Sequence, residues 1–550
     1  MNRRPPTTTL VLAAAILLCA AACKPSDPRK PQTWIARLAD PDAKVRTRAV
    51  QELRKLKARE AGPQVAALLT DPLVKEEAAL ALAAIGGPES VQPLLDAIDT
   101  TVGAGSDAAA RAANRTNARI ADALGSIGYS SAGPALLRLA RARDVSVRLS
   151  AVQALGQVRV REAVPELSRM VDDPTVPPLL VKKAVVALGQ IRDAAGIPAL
   201  LHALVIERQG VTFLSEASFA LFVLGEASLD PLLAVAQDQD ARYLAWAREN
   251  SRAAAGTYAK AAIVLGDLGD PRATPVLLKL LKYTDPDQIP STARLLSSVV
   301  RQFAADALGR LRAKEAAAPI LALVSTRSSD DEEAADLYGN ALVWIGDRSQ
   351  AKELLRRAQT GAVRARLSVA QAAALLGEPS LRKDLAQLAA REKETGKPKE
   401  CASALAELSG VAADEATACH ALSAAFAALD KPLAAAEECA AGDAAACWSK
   451  KLADREPLIR ARAAYELGRA GAASAVDGLV KQASDESLPA RVAAIRALEW
   501  LVAGGAAQSQ LKAAAPQLSA QLAAEQGQAR FLKVNDELRR LQARVAHLSL

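Results

Sequence analysis

Asp144-Val-Ser-Val-Arg-Leu-Ser-Ala-Val-Gln-Ala-Leu-Gly-Gln-Val158 is the stretch that decides the fold. Val147, Ala151 and Leu155 fall four residues apart, so they line one face of a helix. Arg148 follows the first of them and Gly156 the last. The same frame returns at Val45, Arg46, Ala49 and Leu53, and at Val74, Lys75, Ala78 and Leu82. It is complete at Val300, Arg301, Ala304, Leu308 and Gly309, and at Ile459, Arg460, Ala463, Leu467 and Gly468. Ala490, Arg491, Ala494 and Leu498 give another copy, and looser ones centre on Leu124, Leu188, Leu224, Leu265, Leu342 and Leu376. We call this the motif helix. Between copies lies a shorter leucine-rich helix, often opened by proline, as at Pro93, Pro134, Pro198, Pro231 and Pro275.

The physics of the unit is local. Proline suits the first turn of a helix, where its missing N–H leaves no bond unmade. Leucines three and four apart give each helix an apolar stripe, and Asp-containing turns such as Asp40-Pro, Asp71-Pro and Asp285-Pro-Asp reverse the chain. Gly after the anchor leucine fits either a helix end or a close contact. One helix pair cannot hide its stripe, so neighbours must stack into an array. The expected fold class is all-α, an α-solenoid of antiparallel helix pairs. The frame resembles the HEAT repeat, specifically the short phycobilisome-lyase-like kind with an Asp-x-x-Val-Arg-x-x-Ala-x-x-Ala-Leu-Gly signature. The resemblance spans nearly all of residues 34–500 and implies scaffold architecture without bilin chemistry. In such arrays the arginines at 46, 148, 301, 460 and 491 pair with turn aspartates, which implies a structural role.

The N-terminus sets the expected address. Arg3 and Arg4 precede the apolar run Leu10–Cys23, which is shorter than the roughly 20 residues a spanning helix needs. It ends in small residues, as a secretory signal does. Ala20, Ala21, Ala22 and Cys23 resemble the lipobox of bacterial lipoproteins, which implies that Cys23 becomes the acylated first residue. Several acyl chains together anchor stably where one would not. An ordinary secretory signal with an incidental cysteine is the competing reading. The polar, proline-rich Lys24–Gln32 reads as an extended tether. Lys24, where an inner-membrane lipoprotein often has Asp, resembles outer-membrane sorting with the chain facing the periplasm. The expected boundaries are signal 1–22, tether 23–33, repeats 34–396, a cysteine-containing segment 397–450, and further repeats with a helical cap over 451–550.

Hydrophobic residues make up 51% of the chain but aromatics only 3%, so apolar content is Ala, Leu and Val, which favours helix over strand. The formal charge of +8 is not gathered into a basic tract, which removes support for nucleic-acid binding. Repeat spacing is irregular in two places. Leu224 to Leu265 spans 41 residues and Leu265 to Leu308 spans 43, against 29 from Leu53 to Leu82. The surplus lies in Gln237–Gly256 and Tyr283–Ser298. Tyr243, Trp246 and Arg248 in the first insertion form the candidate partner site, because aromatics and Arg are enriched at interface hot spots. Inward packing of these rings is the alternative.

Cys401, Cys419, Cys439 and Cys447 are confined to one segment, and an even number in an exported chain suggests two disulfides. Nearest-neighbour pairing is the favoured connectivity of three. A zinc site is the alternative, although the spacing lacks close cysteine pairs. No metal or cofactor is expected. The three histidines, His202, His420 and His547, are isolated, and no nucleophile elbow, phosphate loop or zinc-protease motif occurs. The acidic run Asp330–Glu333 reads as the start of a helix. The functional expectation is a lipid-tethered, non-enzymatic scaffold holding a protein partner on its concave or loop surface. A ligand-holding enzyme accessory with a pocket near Tyr243 and Trp246 is the alternative.

Overall fold

The computed structural model describes residues 27–100, 107–327, 332–409, 413–505, 507–525 and 532–547. The signal segment, Cys23, the first part of the tether, Asp330, Asp331 and Phe531 lie outside the described residues. The only β-structure among the described residues is a two-residue antiparallel hairpin, Glu207–Arg208 against Val211–Thr212. Everything else that is regular is α-helix or short 3-10 turn. The chain divides into two compact units, one ending at Leu200 and the other starting at Leu201.

In the first unit the motif helices are Ala43–Lys55, Lys75–Ile85, Ala108–Ile127, Val145–Val158 and Pro178–Ile191, each packed on the next. Aspartate starts several of them. The Asp144 carboxylate accepts the backbone N–H of Ser146 at 2.9 Å and of Val147 at 3.0 Å, and Asp42 and Asp107 cap in the same way. The proline-led helices, such as Gly62–Ala67, Gly133–Leu139 and Val164–Asp172, are each entered through a 3-10 turn and carry proline in the first turn. The anchor leucines Leu53, Leu82, Leu124 and Leu155 are fully buried. A first helix already begins at Pro31, inside the segment read as tether, and the Trp34 indole donates to the Pro28 carbonyl at 2.9 Å. Residues 31–35 of this flank are therefore folded rather than extended, because Trp34 supplies apolar surface that packs against the first motif helix.

The signature glycine is a contact residue. A Cβ built on Gly125 would lie 2.9 Å from the Ala154 Cα; on Gly156, 2.7 Å from that of Ala187; on Gly266, 2.8 Å from that of Ala307. Gly309 meets Ala341 and Gly468 meets Ala497 in the same manner. These five motif helices thus press their glycine onto the alanine of the next, which explains why Ala, Leu and Gly travel together in them. Four of the five repeated arginines bind turns; the Arg148 Nε is buried without a hydrogen-bond partner among the described residues. Arg46 bonds Asp71 through Nε and Nη2, and Arg460 bonds Asp485 likewise, each reaching the turn 25 residues on. Arg301 and Arg491 instead donate to main-chain carbonyls, of Tyr283 and Asp485 respectively, both at 2.8 Å.

The second unit continues with motif helices Leu214–Leu224, Ala254–Leu268, Pro290–Arg310, Glu332–Ile345 and Val363–Leu376. One insertion forms an extra helix, Ala241–Glu249; the other partly lengthens Pro290–Arg310 at its N-terminal end. Residues 397–450 form helices Pro398–Ser409, Glu415–Ala428, Asp430–Cys439 and Ala444–Lys451. The structure joins Cys401 to Cys419 and Cys439 to Cys447, with Cα separations of 5.1 and 5.4 Å. Both separations lie within the range that a disulfide spans. Arg382 clamps the segment to its neighbour through a two-pronged bond to Asp430, both prongs 2.9 Å. The array then resumes with Pro457–Arg469, Leu488–Gly504, Gln508–Glu525 and Leu532–His547.

Candidate functional site

Within the second unit, the last three motif-type helices do not cap an end. Pro457–Arg469, Leu488–Gly504 and Leu532–His547 lie along the exposed face of the earlier motif helices, in reverse order. Pro457–Arg469 meets Val363–Leu376 and Glu332–Ile345: Arg462 donates to the carbonyls of Ala374 and Gly377 at 2.7 Å, and Arg469 to that of Val343. The Trp344 indole donates to the Tyr465 hydroxyl at 3.1 Å. Leu488–Gly504 follows, with Arg496 over the Trp344 ring at 4.4 Å and Arg312 over the Trp500 ring at 5.0 Å. Leu532–His547 closes the row on Ala254–Leu268 and Leu214–Leu224. Arg540 reaches Asp267 at 2.9 Å and the Ser218 hydroxyl at 3.2 Å, while Arg539 and Arg544 cover Phe219 and Phe222. The expected terminal cap is therefore a second layer. Its apolar residues Leu538, Leu541 and Val545 are buried, and so is Arg540.

The seam has a repeating logic. Arg462, Arg469 and Arg544 each donate to a carbonyl at the C-terminal end of a facing helix, at Ala374, Val343 and Asp267. Those carbonyls have no intrahelical partner and sit at the negative end of the helix dipole. The register repeats as well. In five helices the residue two places after the anchor leucine, Asp267, Arg310, Trp344, Arg469 or Trp500, faces the seam, whereas Glu226 and Glu378, which follow Leu224 and Leu376 in the same way, are exposed. Asp267 is only 3% exposed and binds Arg310 at 2.7 Å. Burial pushes the Asp267 carboxyl up, and Arg540 and Arg310 pull it back. Burial also lowers Arg462, to about 10, and lowers Arg469 and Arg544. Glu466 gathers Arg348 at 2.8 Å and Arg462 and Arg469 at 3.6 Å. Desolvated charges of this kind persist only when paired and hydrogen-bonded.

The residues singled out from sequence lie elsewhere. Tyr243 is buried and its hydroxyl bonds the Thr257 hydroxyl at 3.0 Å. Burial raises the Tyr243 phenol. Trp246 is half-buried, stacked on His202 at 3.7 Å, and Arg248 is exposed. The two rings hold the extra helix to its neighbours, so inward packing describes Tyr243 and most of Trp246. His420 follows a cysteine engaged in a disulfide and is exposed. Among the described residues no cluster of three or more His, Cys, Asp or Glu is placed to hold a metal ion. The seam arginines went unread in the sequence. The available signal was the shared register of Trp344 and Trp500, two of the chain's five tryptophans.

Residues 31–114, 106–180 and 134–218 match the family profile described as HEAT repeats. Residues 258–283 and 300–326 match that of the PBS lyase HEAT-like repeat. These stretches carry HEAT repeats. No curated protein matches the chain in sequence. Among solved structures, importin beta aligns at 13% identity over 95% of this chain and 72% of its own, with a TM-score of 0.44. The CpcE and CpcF complex of phycocyanin lyase from a Nostoc species aligns at 18% over 51% and 93%, with a TM-score of 0.24. Human deoxyhypusine hydroxylase aligns at 19% over 53% and 98%, with a TM-score of 0.21. The HEAT matches agree with the all-α solenoid fold seen in both units.

Proposed function

We propose that this chain is a non-enzymatic HEAT-repeat scaffold of the bacterial cell envelope, anchored through acylated Cys23 in the outer membrane and holding a protein partner in the periplasm. The observation that carries the binding role is the seam. The motif-helix face of these repeats grips α-helices, through carbonyl-capping arginines and interlocked aromatics, where the second unit supplies the helices itself. That makes a helical protein the natural occupant of any further such face. The address rests on the lipobox-like Ala20–Cys23 and the small-residue signal before it.

Two measurements test the reading separately. Crosslinking in intact envelopes followed by affinity capture is expected to recover a specific protein partner; turnover of a substrate by the purified chain with no partner recovered would overturn the scaffold role. Metabolic labelling with an alkyne fatty acid is expected to mark the wild-type chain and not Cys23→Ala. Equal labelling of both, or labelling of neither, would remove the anchor.

A further inference from the structure

One signature arginine lacks the carboxylate that two of its sisters hold. Arg46 and Arg460 each fork onto an aspartate 25 residues on, Asp71 and Asp485. Counted from Arg301, that place falls on Thr326, whose uncharged hydroxyl is engaged by the carbonyls of Thr360 at 2.6 Å and Arg357 at 3.1 Å. Arg301 donates to the Tyr283 carbonyl at 2.8 Å and, at the long distance of 3.4 Å, to the Thr284 hydroxyl. Neither group carries charge, and the half-buried guanidinium has no ion pair among the described residues. A partly desolvated cation without a counter-charge favours any anion that can reach it.

A cavity of about 270 Å³ opens beside it. Arg294, exposed and likewise without an ion pair among the described residues, lines this cavity together with Arg301. The Ser298 hydroxyl, also in its wall, accepts from Gln302 at 2.9 Å and so keeps its own proton to give. Tyr338 lines it while only 4% exposed, and its hydroxyl has no hydrogen-bond partner among the described residues. Burial pushes that phenol up to about 12 against the pull of the Arg301 charge, so it remains a donor at neutral pH. Ala293 and Leu323 add apolar wall. No described acidic residue lines this cavity. Two other cavities balance their cations: Asp99 and Asp144 stand with Arg138 and Arg143 in one, and Asp443 and Asp454 with Lys450 and Arg455 in the other.

We propose that this cavity binds a carboxylate borne on a short apolar body, with Arg301 and Arg294 taking its charge and the Tyr338 and Ser298 hydroxyls donating to its oxygens. A carboxylate is what the same guanidinium position receives in two sister repeats, at Asp71 and Asp485. Ala293 and Leu323 suit the few carbons that carry it. The source is a free small acid or an acidic side chain of a bound peptide. Such a site stands whether or not the scaffold reading does.

The test modifies the full mature chain with phenylglyoxal, an arginine reagent, and reads each arginine by peptide mass spectrometry. Glutarate is the free-acid probe, its diamide the uncharged control, and acetyl-aspartate amide stands for a peptide side chain. Ionic strength is held constant. Glutarate at about 50 mM, well above the roughly millimolar Kd that two charge-assisted bonds give, is expected to slow modification of Arg294 and Arg301 by about fivefold or more. The exposed Arg248, outside the cavity, is the reference and should react unchanged, as should all three arginines with the diamide. Tyr338→Phe is expected to raise the glutarate concentration for half-protection by about tenfold, the worth of one hydrogen bond to a charged acceptor. Circular dichroism should leave that variant as helical as the wild type. Stronger protection by glutarate assigns a free acid, and stronger protection by acetyl-aspartate amide assigns a peptide side chain; both keep the carboxylate. No protection by either acid, equal protection by inorganic phosphate, or half-protection unmoved in Tyr338→Phe would overturn the assignment.

Discussion

Replacing Asp267 by Ala should release the last helix from the seam. Its carboxylate is 1% exposed, accepts a hydrogen bond from Arg310 at 2.7 Å and forms an ion pair with Arg540 at 2.9 Å. Arg310 keeps a second carboxylate, Asp306, also at 2.7 Å. Arg540, itself 9% exposed, keeps only the Ser218 hydroxyl among the bonds described above. Arg544 is unaffected, since it uses the Asp267 main-chain carbonyl. The variant thus strands one buried guanidinium, and removing one partner of a buried pair costs about 3–5 kcal/mol. Hydrogen exchange read by mass spectrometry over Leu532–His547 should accelerate by about two orders of magnitude or more, up to the limit set by unprotected exchange. Replacing both partners, Asp267→Leu with Arg540→Met, should recover most of the protection, because a buried pair exchanged for apolar groups of similar size is often neutral. Unchanged protection in Asp267→Ala would refute the seam as the force that holds this helix. A double variant as unprotected as the single one would refute the electrostatic reasoning while leaving the contact in place.

Two glycines of one helix should respond with opposite signs. Gly266→Ala drives a Cβ to 2.8 Å from the Ala307 Cα, and overpacking against backbone costs about 1–3 kcal/mol. Gly256→Ala meets nothing within 4 Å and should stabilise by about 0.4–1 kcal/mol through chain entropy and helix propensity; urea midpoints shifting the same way for both would contradict the glycine–alanine packing. Acid should act first on the turns. The hydrogen bond from Arg46 holds Asp71 below its ordinary value of 3.8, so the stability from this pair is complete above that value and is lost as pH falls through the lowered one. Asp267 has the opposite sign, its carboxyl raised by burial, so its contribution weakens as pH rises rather than falls. Exchange followed down to pH 2.5 should therefore show Lys75–Ile85 losing protection in wild type but less so in Asp71→Asn, whose starting stability is lower; a parallel acid response in the two proteins would refute it.

The repeat was legible because everything that builds it is close in sequence. The four-residue spacing of Val147, Ala151 and Leu155, the capping Asp144 and the proline in the first turn of Gly133–Leu139 act within a few residues of one another. The arginine bonds to turns, Arg46 to Asp71 and Arg460 to Asp485, span one repeat, so a repeated frame exposes them too. The neighbouring cysteines paired for the same reason: short loops are the easiest to close. The glycine was ambiguous between a helix end and a contact. Only the distance from one motif helix to the next decided for the contact, with true ends made by Gly128, Arg159 and Arg192 in left-handed conformation.

The seam lay beyond that reach. Trp344 finds Tyr465 across 121 residues, Arg462 finds Ala374 across 88, and Arg540 finds Ser218 across 322. No periodicity records such a meeting, since a helix with one apolar stripe and several arginines reads the same whether water or another protein layer covers its second side. Helix content and repeat phase thus belong to the amino-acid order alone. Which face of the second unit's repeats is spent on the chain's own helices was settled by tertiary packing, where burial turns arginines that would be ordinary surface charges into the caps of facing helix ends.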